Sequence, residues 1–263
     1  MYPLRTLART FPRFLGALAM STPHPIDTQL FGIIHDAVRR DLGRTFDALA
    51  TRTPPAGRRR AALADQLTWT LRFVERVHVS EETYLWALTC RRDPSTTPLL
   101  RQLAAGHARV HHAVGAVEHA AHDYQISEAT SVRDDLRGAL ERLCTILLPQ
   151  FDREEDEAAP LVAASIADIE WNTWLYRHLL HTDTADELVR ERQWLTDALE
   201  PGRRAYAKRT LRTHRSISRP AFALPHRQRT RLLCGSQTVS NQRPHCSRIR
   251  TALHRLETAL TPT

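Results

Sequence analysis

Between Asp27 and Ile166 the apolar residues recur every three or four positions in four successive stretches, and each stretch is interrupted near its middle by a histidine or a glutamate. In the first, Phe31, His35, Val38, Leu42, Thr45 and Leu49 fall on one line. In the second the line is Leu67, Leu71, Val74, His78, Glu81, Leu85 and Leu88. The third runs Leu100, Leu103, His107, Val110, Val114, Val117, Ala121 and Tyr124, and the fourth Leu136, Leu140, Leu143, Leu147, Gln150, Glu154, Ala158 and Leu161. Steps of three and four keep residues on one face of an α-helix, so each stretch predicts an amphipathic helix with a single seam. The breaks "TRTPPAGRRR", "RRDPSTTP" and "DYQISEATS" are short and rich in turn-forming residues. Pro98 suits the opening of the third helix, and Ser131 followed by Asp134 the cap of the fourth. Pro149 predicts a kink within the fourth. Four striped helices joined by short connections predict an all-α fold, an antiparallel four-helix bundle.

A buried charge without a partner costs several kcal/mol, so the interruptions need a reason. His35, His78 with Glu81, His107 and Glu154 lie near mid-helix, and a bundle would bring them to one level. Imidazoles and carboxylates converging in a bundle core are how di-iron and di-manganese sites are built. The chain also repeats itself weakly. Aligning "VHVSEETYLWA" with "QFDREEDEAAP" superimposes Glu81 on Glu154 and Glu82 on Glu155. Within "DREEDEA" only Glu154 falls on the seam, so Asp152, Glu155, Asp156 and Glu157 are expected to form a solvated face. His111 borders the seam one turn after His107, whereas His112, His119 and His122 point outward. His178 and His181 lie on a segment read as a packed amphipathic helix.

The chain's net charge of +8 is unevenly spread. From Arg203 onward there are 14 Lys and Arg against one acid, Glu257, so the tail carries +13 and residues 1–202 carry −5. The tail has little aromatic interleaving, which argues against specific nucleic-acid recognition. No apolar run approaches the roughly 20 residues of a membrane span. The four cysteines form no C-x-x-C pair, which excludes a zinc ribbon or disulfide framework and fits a reducing cytoplasm. Glycine-rich nucleotide loops and the serine-hydrolase elbow are absent. The expected organisation is an N-terminal extension over 1–26, with "MSTPHPIDTQL" at Met20 reading as a natural start, and then the bundle over 27–166. Tryptophan-bearing capping helices follow over 167–202, and a basic low-order tail over 203–263.

The segment from 27 to about 200 resembles the haemerythrin-like, or HHE cation-binding, proteins of actinobacterial type. The matching motifs are "GIIHDAVRRDL", "HVSEETYLW", "AAGHARVHHAV" and "LLPQFDREEDEAAPLV". The resemblance implies a four-helix bundle holding non-haem iron, associated with O2 binding and with iron, redox or nitric oxide chemistry. Carried over residue by residue, it implies ligands at His35, Glu81, His107 and Glu154, with His111 at an accessory position. Two positions depart from the family pattern. Val77 and Gln150 stand where the family has a histidine four residues before each glutamate, and Ala87 replaces a proline. His78, three residues before Glu81 on the same face, is placed to stand in for the first histidine.

These observations predict a metal-binding protein, holding one or two irons through His35, His78, Glu81, His107, His111 and Glu154, with occupancy below two per chain. Binding or sensing O2, peroxide or nitric oxide is the expected role, and peroxide breakdown suits the same centre. The alternative is a metal-free bundle acting as an interaction or structural module. A third reading is a mononuclear iron enzyme, since two histidines and a carboxylate make a facial triad.

Overall fold

A computed structural model describes residues 26–180 and 184–212. Every element among them is helical. The helices are α1 (Gln29–Ala50), α2 (Gly57–Ser80), α3 (Ala87–Arg92), α4 (Thr97–Ile126), α5 (Thr130–Arg153), α6 (Ala159–Ser165), α7 (Asp168–Thr173), α8 (Ala185–Thr196) and α9 (Pro201–Arg212). A π-helical turn, Glu81–Trp86, joins α2 to α3, and another, Glu154–Ala158, joins α5 to α6. The bundle thus has four rods: α1, α2 with α3, α4, and α5 with α6. Connections of three to six residues make consecutive rods antiparallel. The register confirms it, since Asp41 on α1 meets Thr70 on α2 while His35 and Arg39 meet Glu155 and Asp152. Each rod packs on two neighbours, closing a ring around one core.

The predicted seams are this core. All six positions on α1 and all eight on α4 are buried. On the other two rods the seam slips after the glutamate: Leu88 and Leu161 are only partly buried, while Thr89 and Val162 are fully covered. The cause is the π turn, which holds one residue more than an α turn and moves the buried stripe on by one position. Pro98 lies in the first turn of α4, as expected. The cap of α5 is Ala129, so Ser131 falls inside the helix.

Beyond the bundle, α7 and the π turn Trp174–Leu179 lie against α1 and α2. Trp171 and Trp174 each sit 5.6 Å from the Phe31 ring, and the Trp174 indole donates to Ser80 Oγ at 2.9 Å. Thr184 caps α8 by accepting from Glu187 N. α8 is locked down by the buried Asp41 carboxylate, whose Oδ2 accepts from Trp194 Nε1 (2.8 Å), Gln66 Nε2 (2.7 Å) and Thr70 Oγ1 (3.0 Å). The tail boundary expected at 203 falls inside α9, which buries Ala207 and Leu211. The Tyr206 hydroxyl donates to the Asp27 carbonyl, and Arg203 pairs with Asp36. The expected N-terminal extension and the tail from 213 lie outside the described residues, apart from Ile26. No described helix is long and apolar enough to cross a membrane.

Candidate metal centre

Each rod delivers a polar side chain to one level of the core. His35, His78, Glu81 and His107 are fully buried, and Glu154 is 1% exposed. His107 from α4 sits at the centre. Its Nε2 donates to Glu154 Oε1 at 2.6 Å and lies 3.9 Å from Glu81 Oε2, and its Nδ1 donates to Glu82 Oε1 at 2.9 Å. His35 repeats this arrangement from the opposite rod. Its Nδ1 donates to Glu155 Oε1 at 2.8 Å, and its Nε2 lies 3.3 Å from Glu154 Oε2. Aromatic rings cover both, Trp86 stacking on His107 at 4.6 Å and Phe151 on His35 at 4.0 Å. His78 stacks face to face on His107 at 3.7 Å, and its Nδ1 lies in hydrogen-bond contact with His111 Nε2 at 3.3 Å. All six predicted residues therefore converge, with His111 outermost and partly buried.

Sequence reasoning placed Glu155 on a solvated face, and the structure corrects this. Glu155 is partly buried and accepts from both His35 and Arg39. It also passed over Glu82, which is 4% exposed and holds His107. The signal was present in the internal repeat, where Glu82 aligns with Glu155. Val77 is an apolar core residue, 2% exposed. Gln150 turns its amide nitrogen towards the site, donating to Glu154 Oε1 at 2.7 Å and to the Leu103 carbonyl at 3.2 Å. His112, His119, His122 and His178 are exposed. His181 lies outside the described residues.

The electrostatics follow from this packing. Burial alone would depress the His35 and His107 pKa values. The hydrogen bonds and charges of Glu154 with Glu155, and of Glu154 with Glu82, outweigh it and raise them to about 9 and about 10. Burial likewise favours a neutral Glu154, but His107 and His35 hold it well below the usual carboxylate range. Burial and the neighbouring Glu154 push Glu81 up to about 8. Burial, reinforced by His107, keeps His78 well below its ordinary value and His111 at about 4, so both rings are neutral at neutral pH.

Several buried atoms have no hydrogen-bond partner: His35 Nε2, His78 Nε2, His111 Nδ1, Glu154 Oε2 and both Glu81 oxygens. Each such orphan costs about 1–3 kcal/mol, and a cation would relieve several at once. Ligand atoms of His78, His107 and Glu154 all lie within 4.8 Å of one another. Nitrogen and carboxylate donors at this spacing fit a divalent transition metal such as iron or manganese.

The family model for the Hemerythrin HHE cation binding domain matches residues 30–162. The chain belongs to this family. The match runs from Leu30 to Val162, so it covers nearly all of the four rods, with the π turns at Glu81–Trp86 and Glu154–Ala158, and stops before α7. Comparison with curated proteins and with solved structures found no match. The family is named for cation binding, and His78, His107 and Glu154 form the candidate site for a cation among the described residues.

Proposed function

We propose that this protein holds non-haem iron between its four rods and uses it to bind or sense a small oxidant such as O2, peroxide or nitric oxide. His35, His78, Glu81, His107 and Glu154 would be the ligands, with His111 as an outer one. The orphaned donor atoms, grouped in an otherwise apolar core, carry this reading. Bound iron supplies redox change and an open position for a diatomic or peroxide ligand. The chain's own part is to orient and to shield. Glu82 and Glu155 hold the Nδ1 protons of His107 and His35, which fixes their Nε2 atoms inward and strengthens them as donors. Trp86 and Phe151 keep bulk water off those rings. The unpaired thiols of Cys90 and Cys144 support a reducing, cytoplasmic setting.

With Val77 and Gln150 in two ligand positions, the expected stoichiometry is below two irons per chain. Metal analysis of protein purified without chelators, together with its ultraviolet-visible spectrum after exposure to O2, tests the proposal. Iron retained by the natural chain and lost in His107→Ala supports it. A chain that takes up no iron even on ferrous reconstitution refutes it. The second reading, a metal-free interaction module, would then lead. It is favoured by one observation: His107 is hydrogen-bonded to a carboxylate at each ring nitrogen, Glu82 and Glu154.

A further inference from the structure

The side of the bundle covered by α8 and α9 carries a second feature that the metal centre does not use. A groove of about 550 Å³ runs between α2, α8 and α9, lined among others by Trp69, Trp194, Arg190, Arg204, Lys208 and Ala198. The groove is largely open to solvent, so a ligand there would be held chiefly by the charged side chains that line it. Three cations from two helices face it. Arg190 is fixed in advance: its guanidinium lies 4.2 Å over the Trp69 ring and donates to Gln66 Oε1 at 2.9 Å. Arg204 and Lys208, one turn apart on α9, are exposed and have no ion-pair partner among the described residues. The acid in the lining, Asp197, is already neutralised by Arg44 at 2.9 Å and Arg40 at 3.6 Å. Ala198, which turns the chain from α8 into α9 and lines the groove, holds φ at +54°, in the left-handed region that disfavours a side chain.

We infer that this groove binds a phosphorylated small organic molecule of about nucleotide size. Arg190 and Arg204 offer planar forks suited to a phosphate, and Lys208 adds a point charge. A guanidinium pinned by a ring and an amide loses little freedom on binding, which favours affinity. The indoles of Trp69 and Trp194 and the Ala198 methyl give an apolar wall for the organic body. A bare phosphate would leave that wall unused.

The test uses the full chain, with AMP, inorganic phosphate and a short single-stranded oligonucleotide titrated separately by calorimetry and tryptophan fluorescence. AMP is expected to bind saturably and at least tenfold more tightly than inorganic phosphate. Arg204→Ala with Lys208→Ala should weaken AMP at least tenfold, while circular dichroism and metal content stay as in the natural chain, since neither residue is buried or a candidate ligand. No saturable binding of AMP at millimolar concentration overturns the inference, as does AMP binding that the double variant leaves unchanged. Oligonucleotide binding that depends on both residues, in the absence of AMP binding, also overturns it and assigns the surface to nucleic acid.

Discussion

Gly106 sits in the interior of the long helix α4, where alanine is ordinarily about 1 kcal/mol better. Its absent side chain is explained by Gln150. A Cβ at position 106 would stand 2.0 Å from Gln150 Oε1 and 2.7 Å from its Cδ. The amide cannot simply swing away, because it is 4% exposed and tied to Glu154 and to the Leu103 carbonyl. Gly106→Ala therefore gains about 1 kcal/mol of helix propensity but sacrifices a hydrogen bond to a charged acceptor, about 1.5–3 kcal/mol, and adds overpacking of about 1 kcal/mol or more. The net expectation is destabilisation by about 1–3 kcal/mol, read by urea or thermal unfolding. The same substitution placed in a Gln150→Ala background should reverse sign and stabilise by about 1 kcal/mol, because the space is then empty. A Gly106→Ala variant more stable than the natural chain would refute the account, and would mean that Gln150 does not hold Glu154.

Metal-free His35 and His107, with pKa values raised to about 9 and about 10, stabilise the fold fully below the unfolded value of 6.5. That contribution is lost as pH climbs through 9 and 10, so unfolding midpoints of chelated protein should fall over that window. Because a metal must displace the same protons, metal affinity measured by chelator competition should rise with pH between 7 and 10. Val77→His with Gln150→His should raise iron per chain, and adding His35→Ala should lower it again, both by metal analysis; unchanged iron in the first variant would show that these positions do not limit binding. Ending the chain at residue 200 removes the burial of Ala207 and Leu211 and the Tyr206 and Arg203 contacts, and should lower the melting temperature by several degrees.

The bundle was legible because its information is periodic. A seam such as Leu100, Leu103, His107, Val110, Val114 repeats the same physical demand, burial on one face, at every turn, and no other secondary structure satisfies it. Helix caps were less legible. The cap of α5 at Ala129 makes no side-chain hydrogen bond, so nothing in the local sequence marks it. α9 was hidden by composition: "PGRRAYAKRTLR" reads as part of a basic tail, and what orders it is the tertiary contact of Ala207, Leu211, Tyr206 and Arg203. Five of the polar site residues, His35, His78, Glu81, His107 and Glu154, could be picked from the seams, since a charge on an apolar stripe stands out. Glu82 and Glu155 could not, because a strict 3.6-residue period sends the neighbour of a seam residue off the core face.

What defeats that period is the pair of π turns. Each begins at the first of two consecutive glutamates, and each slips the helix by one residue at the point where the core is polar. The outcome is the same on opposite sides of the bundle. Glu81 and Glu82 face the two ring nitrogens of His107, at 3.9 Å and 2.9 Å, and Glu154 and Glu155 face those of His35, at 3.3 Å and 2.8 Å. A histidine held at Nδ1 by the second glutamate of each pair is fixed in orientation with its Nε2 turned inward, which is what a metal ligand needs. The repeat is not symmetric, however. Glu154 also reaches His107 at 2.6 Å and is steadied by Gln150, whereas Glu81 makes no hydrogen bond and its carboxyl is pushed up to about 8. In the metal-free state the protons of the two histidines balance Glu154 and leave Glu81 unserved. In the proposed centre, the groups that an entering cation would relieve most are the Glu81 carboxylate and His78 Nε2, which lack hydrogen-bond partners among the described residues.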